Sequence, residues 1–269
     1  MDIKEYTIEV EHNKQNHPWE YARFEVIVDL ISPLLKNKKS LNILDIGCGD
    51  TFFLHQLSNR FEDCNFFAVD TAFTPDILTS FQEKYKDTNI KLYQNLSDFS
   101  ADCDKIDLVL LLDVIEHVED DVDLLSSLHT LQGFHSETLV VVTAPAYQAL
   151  FCSHDEWLRH HRRYSNKLLQ QRLREAYFYP MQSGYFFFTL LLPRVIQRTK
   201  ERFIKPDLSL MSGIGSWNGG KFLTKIIKSV LIMDYKFSKL LRHLGIKLPG
   251  LSCYCIATQK TFVDKNVVD

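Results

Sequence analysis

Apolar residues in this chain gather in two ways, as short solid runs and as stripes recurring every three or four positions. The two patterns alternate. Solid runs fall at LNILDI (41–46), CNFFAVD (64–70), IKLY (90–93), DLVLLLD (107–113) and TLVVVTAP (138–145). Runs of this length, rich in β-branched and large apolar residues, predict strands buried on both faces. Helical stripes separate them: a short one after residue 51, then PDILTSFQEKY (75–85) and DVDLLSSLHTLQ (121–132). A further helix, SNKLLQQRLREAY (165–177), precedes a strand at MQSGYFFFTLLL (181–192). The pattern of LSCYCIATQKT (251–261) suits a last strand, expected antiparallel beside 181–190. Strands interleaved with helices in this way predict a doubly wound α/β sheet.

Two stretches stand outside the alternation. HPWEYARFEVIVDLISPLLK (17–36) has the spacing of one amphipathic helix. Between the last two strands, residues 191–250 form an insertion. Within it, 219–245 places Phe222, Leu223, Ile226, Ile227, Val230, Leu231, Phe237, Leu240, Leu241 and Leu244 at helical spacing, with a break expected near Met233–Asp234. Lys221, Lys225, Lys228, Lys236, Lys239 and Arg242 punctuate that stripe. A basic amphipathic helix either packs its stripe on the domain or rests on an anionic membrane.

Charge sharpens the contrast. The chain carries a net charge of only −3, yet residues 190–250 hold twelve Lys/Arg against three Asp/Glu. That local excess implies a surface with its own partner. The acidic remainder, and the lack of any nucleic-acid-binding motif, argue against a nucleic-acid partner. With 45% apolar residues and 12% aromatics the chain buries a substantial core. Its six cysteines show neither CxxC pairs nor a disulfide spacing, which suits reduced thiols in the cytoplasm. The polar N-terminus does not read as a signal peptide, and no apolar run is long enough for a membrane span.

The chemistry concentrates at LNILDIGCGD (41–50), where a strand passes through Asp45 into a turn built on Gly47 and Gly49. A strand, a glycine turn and a helix N-terminus make a nucleotide-binding crevice. The dinucleotide fingerprint GxGxxG requires a third glycine where this chain has Phe52. An acid followed by glycines at +2 and +4 instead suits a ligand with a cationic amino-acid moiety and no pyrophosphate. Asp70, 25 residues after Asp45, ends the second strand and can accept both hydrogen bonds of a ribose diol.

These residues resemble class I S-adenosylmethionine-dependent methyltransferases, particularly the small-molecule group related to ubiquinone-type O-methyltransferases. The resemblance covers about residues 15–190 and the last strand, through DIGCGD (45–50), FFAVD (66–70), LLLDVIEHVEDD (110–121) and VTAP (142–145). It implies a Rossmann-like seven-stranded sheet and S-adenosyl-L-methionine as cofactor. It further implies cofactor contacts from Asp45, Gly47, Cys48, Gly49, Asp70, Thr71, Asp113 and Val114, with Asn95 near the adenine. Thr51 stands where the family's third glycine is usual. The segment FCSHDEWLRHHRRYS (151–165) resembles the HDxxxxHxRRYS stretch of a bacterial subgroup encoded near cell-envelope genes, and HPWEYAR (17–23) resembles that subgroup's lid. One methyltransferase domain, 1–269, is therefore expected: a helical lid (1–38), a cofactor core (39–190), the basic insertion (191–250) and the last strand (251–261).

Residues 151–165 follow the fifth strand, on the edge where substrate loops sit. Arg162, Arg163 and Tyr164 are candidate donors to an acceptor's carboxylate or phosphate, and His154, His160 and His117 are candidate bases. The structural alternative pairs Asp155 with an arginine and uses Ser165 as a helix cap. No metal site is expected, because His154, Asp155 and His160 match no standard ligand spacing. The leading expectation is methyl transfer to a hydroxyl or carboxyl of a small or lipid-linked acceptor, in the cytoplasm or at the inner membrane face, with peripheral contact through 219–245. The alternatives are a non-catalytic fold relative tethering envelope-biosynthesis partners to the membrane, and a Rossmann oxidoreductase.

Overall fold

The computed structural model describes residues 16–36, 38–100, 103–204, 206–208 and 217–259. Residues 1–15 of the expected lid, 209–216 of the expected insertion and the tail from 260 lie outside the described residues. Seven strands form one sheet in the order β3-β2-β1-β4-β5-β7-β6. They are β1 (Asn42–Ile46), β2 (Asn65–Val69), β3 (Ile90–Tyr93), β4 (Leu108–Leu112), β5 (Leu139–Pro145), β6 (Phe178–Phe186) and β7 (Ser252–Gln259). β1 to β5 are parallel, and β7 runs antiparallel between β5 and β6. The strand order reverses at β1 and β4, which opens a crevice at their carboxyl ends.

Both sheet faces are covered. On one, α1 (Pro18–Leu35), α2 (Phe52–Ser58), α3 (Pro75–Lys84) and α9 (Gly220–His243) pack over Ile43, Phe66, Leu110 and Ile256. On the other, α4 (Leu96–Ser100), α5 (Asp121–Ser127) and α7 (Asn166–Glu175) pack over Leu44, Phe67, Val109 and Cys255. Two short helices, α6 (Ser153–Trp157) and α8 (Leu191–Glu201), complete the set. The burial of β4 at every position, LVLLL, explains why its sequence reads as an unbroken apolar run. Helix starts follow local chemistry. His17 Nδ1 accepts from Trp19 N at 3.1 Å while Glu20 reaches back to His17 N, a capping box ahead of Pro18. Ser165 Oγ caps α7 through Leu168 N at 3.1 Å.

Two expectations need correcting. The strand expected over 181–192 begins at Phe178 and ends at Phe186, with a bulge between Pro180 and Gln182. Phe187 adopts φ +64°, which turns the chain out of the sheet into a short 3₁₀ turn (Phe188–Leu190) and then α8. The break expected at Met233–Asp234 is absent, and α9 is one helix of 24 residues. Asp234 is tolerated within it because its carboxylate is not solvent-facing but spent. Oδ2 accepts from both Thr189 N and Thr189 Oγ1 at 2.9 Å, anchoring α9 to the turn after β6. Lys228 with Glu25 and Lys239 with Asp29 join α9 to α1. Together these links hold α1, α8 and α9 over the crevice.

Asp234→Ala should therefore loosen that cover. Removing an acceptor from two donors at a largely buried position costs about 1–3 kcal/mol. The urea midpoint should fall, and limited proteolysis should cut first between α8 and α9; an unchanged midpoint would refute this anchoring role.

Candidate functional site

A cavity of about 820 Å³ opens at the carboxyl edge of the sheet, walled by the loops after β1, β2, β4 and β5 and by α1, α8 and α9. At its floor the chain leaves β1 through Gly47, whose N–H donates to Val69 O at 2.7 Å. Gly47 has φ +70°, and a Cβ there would lie 2.6 Å from Val114 Cγ2, so a side chain is excluded both by conformation and by space. Gly49 N donates to Asp70 Oδ2 at 2.8 Å, and Ala72 N donates to Oδ1 at 2.9 Å. Asp70 is thereby fixed at the cavity wall.

Behind this loop Asp45 is 2% exposed, and burial raises its carboxyl to about 7 despite the nearby Arg23 charge. Arg23, from α1, meets Asp113 Oδ2 at 2.9 Å. Asp113 holds φ +59° because Thr143 grips it: its N–H donates to Thr143 O at 3.1 Å and Thr143 Oγ1 donates to its Oδ1 at 3.0 Å. Arg23 Nε is buried in the wall with no hydrogen-bond acceptor. An unsatisfied cationic donor beside a glycine turn fits the carboxylate of an amino-acid moiety. The fixed Asp70 fits a diol, and the side-chain-free turn at Gly47 fits close backbone approach. The residues present thus suit S-adenosylmethionine.

Beside Asp113 the cavity lining is polar and buried. Glu116 lies on a 3₁₀ turn after β4 (Ile115–His117), is 0% exposed, and neither carboxyl oxygen has a hydrogen-bond partner. Burial and the neighbouring Asp113 push its carboxyl well above the usual range. The His117 and His160 rings meet edge to face with centroids 4.5 Å apart. His160 Nδ1 lies 3.0 Å from Asp155 Oδ1. Asp155 also takes Arg163 Nε at 2.9 Å, Arg163 Nη2 at 3.0 Å and the Cys152 N–H at 2.9 Å. Burial alone would raise the Asp155 carboxyl, but the bond from His160 and the charge of Arg163 outweigh it and hold it well below the ordinary range. His154, also on the wall, is lowered to about 4 by burial and is neutral near pH 7.

The structure brings Gly47, Gly49, Asp70, Thr71, Asp113, Val114, His117, His154, His160 and Arg163 to one cavity. Asp45 and Cys48 sit behind its wall, where burial pushes the Cys48 thiol up. Three expectations are displaced. Asn95 is away from the cavity and donates to Asp98 Oδ2 at 3.3 Å. Arg162 reaches Glu119 O and Asp121, and Tyr164 is wholly buried with its hydroxyl on Asp121 Oδ2 at 2.7 Å and Ile115 O at 3.1 Å. Arg163 lines the cavity, yet its guanidinium is committed to Asp155 and to Ala146 O. The sequence reading missed Arg23, Glu116, Trp19 and the α8–α9 contribution of Arg194, Ile227 and Leu231. Glu116 lies inside DVIEHV, directly before the candidate base His117.

A family model for methyltransferase domains matches residues 19–182. Similar folds occur in solved structures. A provisionally assigned sarcosine dimethylglycine methyltransferase from Galdieria sulphuraria is 12% identical, with TM-score 0.54 over 89% of this chain and 85% of that one. The plantazolicin methyltransferase BamL is 13% identical, with TM-score 0.52 over 96% and 90%. The [4+2]-cyclase SpnF, 10% identical, matches with TM-score 0.52 over 87% and 80%. No curated protein matches the chain by sequence.

The histidines make acid stability testable. Unfolded His154 takes a proton below its ordinary value of about 6.5, whereas the folded side chain does so only near 4. His17, on the same wall, behaves alike. The native state therefore loses stability as pH falls from about 6.5 to 4. Asp155, depressed in the fold, adds a second loss below the ordinary carboxylate range. Urea titrations across this range should show the His154→Gln curve falling less steeply between pH 6.5 and 4. Parallel curves would contradict the assignment.

Proposed function

The chain belongs to the methyltransferase-domain family, and from that premise we propose that it transfers a methyl group from S-adenosylmethionine to a hydroxyl or carboxyl oxygen of a small or lipid-linked acceptor. The observation that carries this reading is one cavity joining the Gly47–Gly49 turn to the buried Glu116, His117 and His160. The HDxxxxHxRRYS subgroup assignment draws support from the Asp155–His160–Arg163 cluster, which gives that motif a structural reason. We read the chain as a single domain whose 191–250 insertion roofs the cavity.

S-adenosylmethionine supplies, when bound, a methyl group on a positively charged sulfur that needs positioning more than covalent help. The chain's own residues do that positioning. Gly47 and Gly49 let the backbone approach the ligand, Asp70 accepts from the ribose, and Arg23 Nε donates to the carboxylate. Val114 and Leu112 supply an apolar wall beside them. Next to Asp113, Glu116, His117 and His160 handle the acceptor's oxygen. His154, neutral and mostly enclosed, shapes the wall near Arg194. The roof from α1, α8 and α9 excludes water, which strengthens each of these polar contacts.

A second observation favours a lipid-linked acceptor. Phe222, Ile226, Val230, Met233, Phe237 and Leu240 recur every three or four residues along α9, all substantially exposed. This stripe is distinct from the buried side carrying Leu231, Asp234, Tyr235 and Ser238. α8 adds exposed Leu192, Val195 and Ile196, and both helices also line the cavity. Among the described residues no helix is long and apolar enough to cross a membrane. An apolar stripe flanked by Lys221, Lys225 and Lys236 suits peripheral docking on an anionic leaflet at the cytoplasmic face.

Calorimetric titration should give S-adenosylmethionine binding in the micromolar range, and Gly47→Ala should weaken it at least tenfold, because its Cβ overlaps Val114 and requires a strained backbone. Absence of binding up to about 1 mM, beyond the usual enzyme range, would overturn the enzymatic reading. Acceptors with free hydroxyl or carboxyl groups should yield S-adenosylhomocysteine. Sedimentation with anionic vesicles at low salt should capture the protein, and Met233→Glu with Phe237→Glu should release it. Equal recovery in the supernatant with and without vesicles would refute membrane docking.

A further inference from the structure

We propose that Arg194, on α8, is an anion-recognising residue that selects acceptors carrying a carboxylate or phosphate besides the oxygen that takes the methyl group. The proposal rests on the methyltransferase reading and names the class of acceptor that fits it. Arg194 stands on the cavity wall with His154 and Gln197. Its Nη1 donates to the buried Cys152 Sγ at 2.8 Å, which fixes the guanidinium against the loop after β5. A thiol is a weak acceptor. Among the described residues nothing else accepts from this guanidinium.

Its charge is also unmatched. Arg23 meets Asp113 and Arg163 meets Asp155, but among the described residues no carboxylate lies within ion-pair distance of Arg194. Glu201, the one acid on α8, is committed elsewhere. Ser153 N donates to its Oε2 at 2.9 Å, and Ser153 Oγ and Gln197 Nε2 donate to its Oε1 at 2.7 and 3.0 Å. Glu116 does not answer Arg194 either, because the charges that bear most on it are those of Asp113, Arg23 and Arg163. One turn further along α8, Arg198 has its Nε buried without an acceptor, and Lys200 follows. This part of the basic insertion therefore sets a positive field at the cavity wall.

The donors left on Arg194 suit an anion. Nε and Nη2 carry parallel N–H groups that match the oxygens of a carboxylate or phosphate. His154 stands beside them, kept neutral near pH 7 by burial and by the Arg194 charge. A neutral imidazole adds one N–H donor without demanding a second anion. The cofactor's carboxylate falls instead to Arg23, beside Asp113. Arg194 meets the start of the loop after β5 at Cys152, whereas Glu116 and His117 lie on the turn after β4. An acceptor held at both points presents its reacting oxygen in one orientation, and a neutral analogue loses that hold.

The test uses full-length protein saturated with S-adenosylhomocysteine, so that the cofactor pocket is filled. Phenyl phosphate, benzoate and benzyl alcohol are titrated by ligand-observed NMR at constant ionic strength, which keeps screening fixed. Phenyl phosphate or benzoate should bind tighter than benzyl alcohol by about tenfold or more, and the tighter of the two names the anionic group. Arg194→Gln should weaken that probe by about 10–100-fold, the range for a lost charged hydrogen bond, and erase its advantage over benzyl alcohol. Arg194→Lys, which keeps the charge without the fork, should recover part of the loss. Equal binding of charged and neutral probes, or a preference that survives Arg194→Gln, would overturn the site. S-adenosylhomocysteine affinity, measured first on each protein, keeps the two readings separable. Its retention in Arg194→Gln shows that the loss of probe binding is not unfolding. An unsubstituted protein that fails to bind S-adenosylhomocysteine sinks the methyltransferase reading, while the probe titration still decides the anion site.

Discussion

The buried Asp155 carboxylate is the constraint around which the functional end of this molecule is arranged. It is completely excluded from solvent, and it is tolerable there only because Arg163 grips both of its oxygens while His160 and the Cys152 N–H supply further bonds. Removing one partner would leave a charge stranded in a low-dielectric interior, a loss of several kcal/mol. The cluster therefore sets the conformation of residues 152–163 as a unit. Because the next residue, Tyr164, reaches across to Asp121 and Ile115 O, the same unit fixes the turn carrying Glu116 and His117. One ion pair in the loop after β5 thus positions a turn after β4.

This explains why the site was only partly legible in the sequence. Alternation of apolar runs and stripes was enough to find the five parallel strands, since strands buried on both faces carry an unmistakable pattern, and the alternation at 251–261 marked the antiparallel β7. The end of β6 was not, because GYFFFTLLL is equally apolar in strand, turn and helix, and the positive φ at Phe187 leaves no compositional trace. The glycine turn was legible for the opposite reason. Gly47 is excluded from bearing a side chain by Val114, so its identity is forced. Asp234 misled because an acid in an apolar helix suggests a break, unless one knows that Thr189 waits for it across the fold.

The pair Arg162 and Arg163 shows the limit most clearly. Adjacent arginines in a loop at the substrate edge offer forked donors whether their partner is a ligand or the protein itself. Only the fold shows that Asp155 and Asp121 already occupy them. Glu116 is the inverse case. In the sequence it is one acid within an acidic stretch, DVIEHVEDD, and nothing separates it from Glu119 or Asp120. Burial without a partner is a three-dimensional property, and it is what distinguishes this carboxyl from its neighbours.

Charge balance in the cavity follows from these pairings. Arg23 is matched by Asp113 and Arg163 by Asp155, so neither buried cation is left over to meet Glu116. A carboxyl in that position either keeps its proton or meets a cation, and the cofactor's sulfonium is one cation that enters this cavity. The His161 N–H donates to Glu116 O, so the loops after β4 and β5 present that carboxyl to the cavity together.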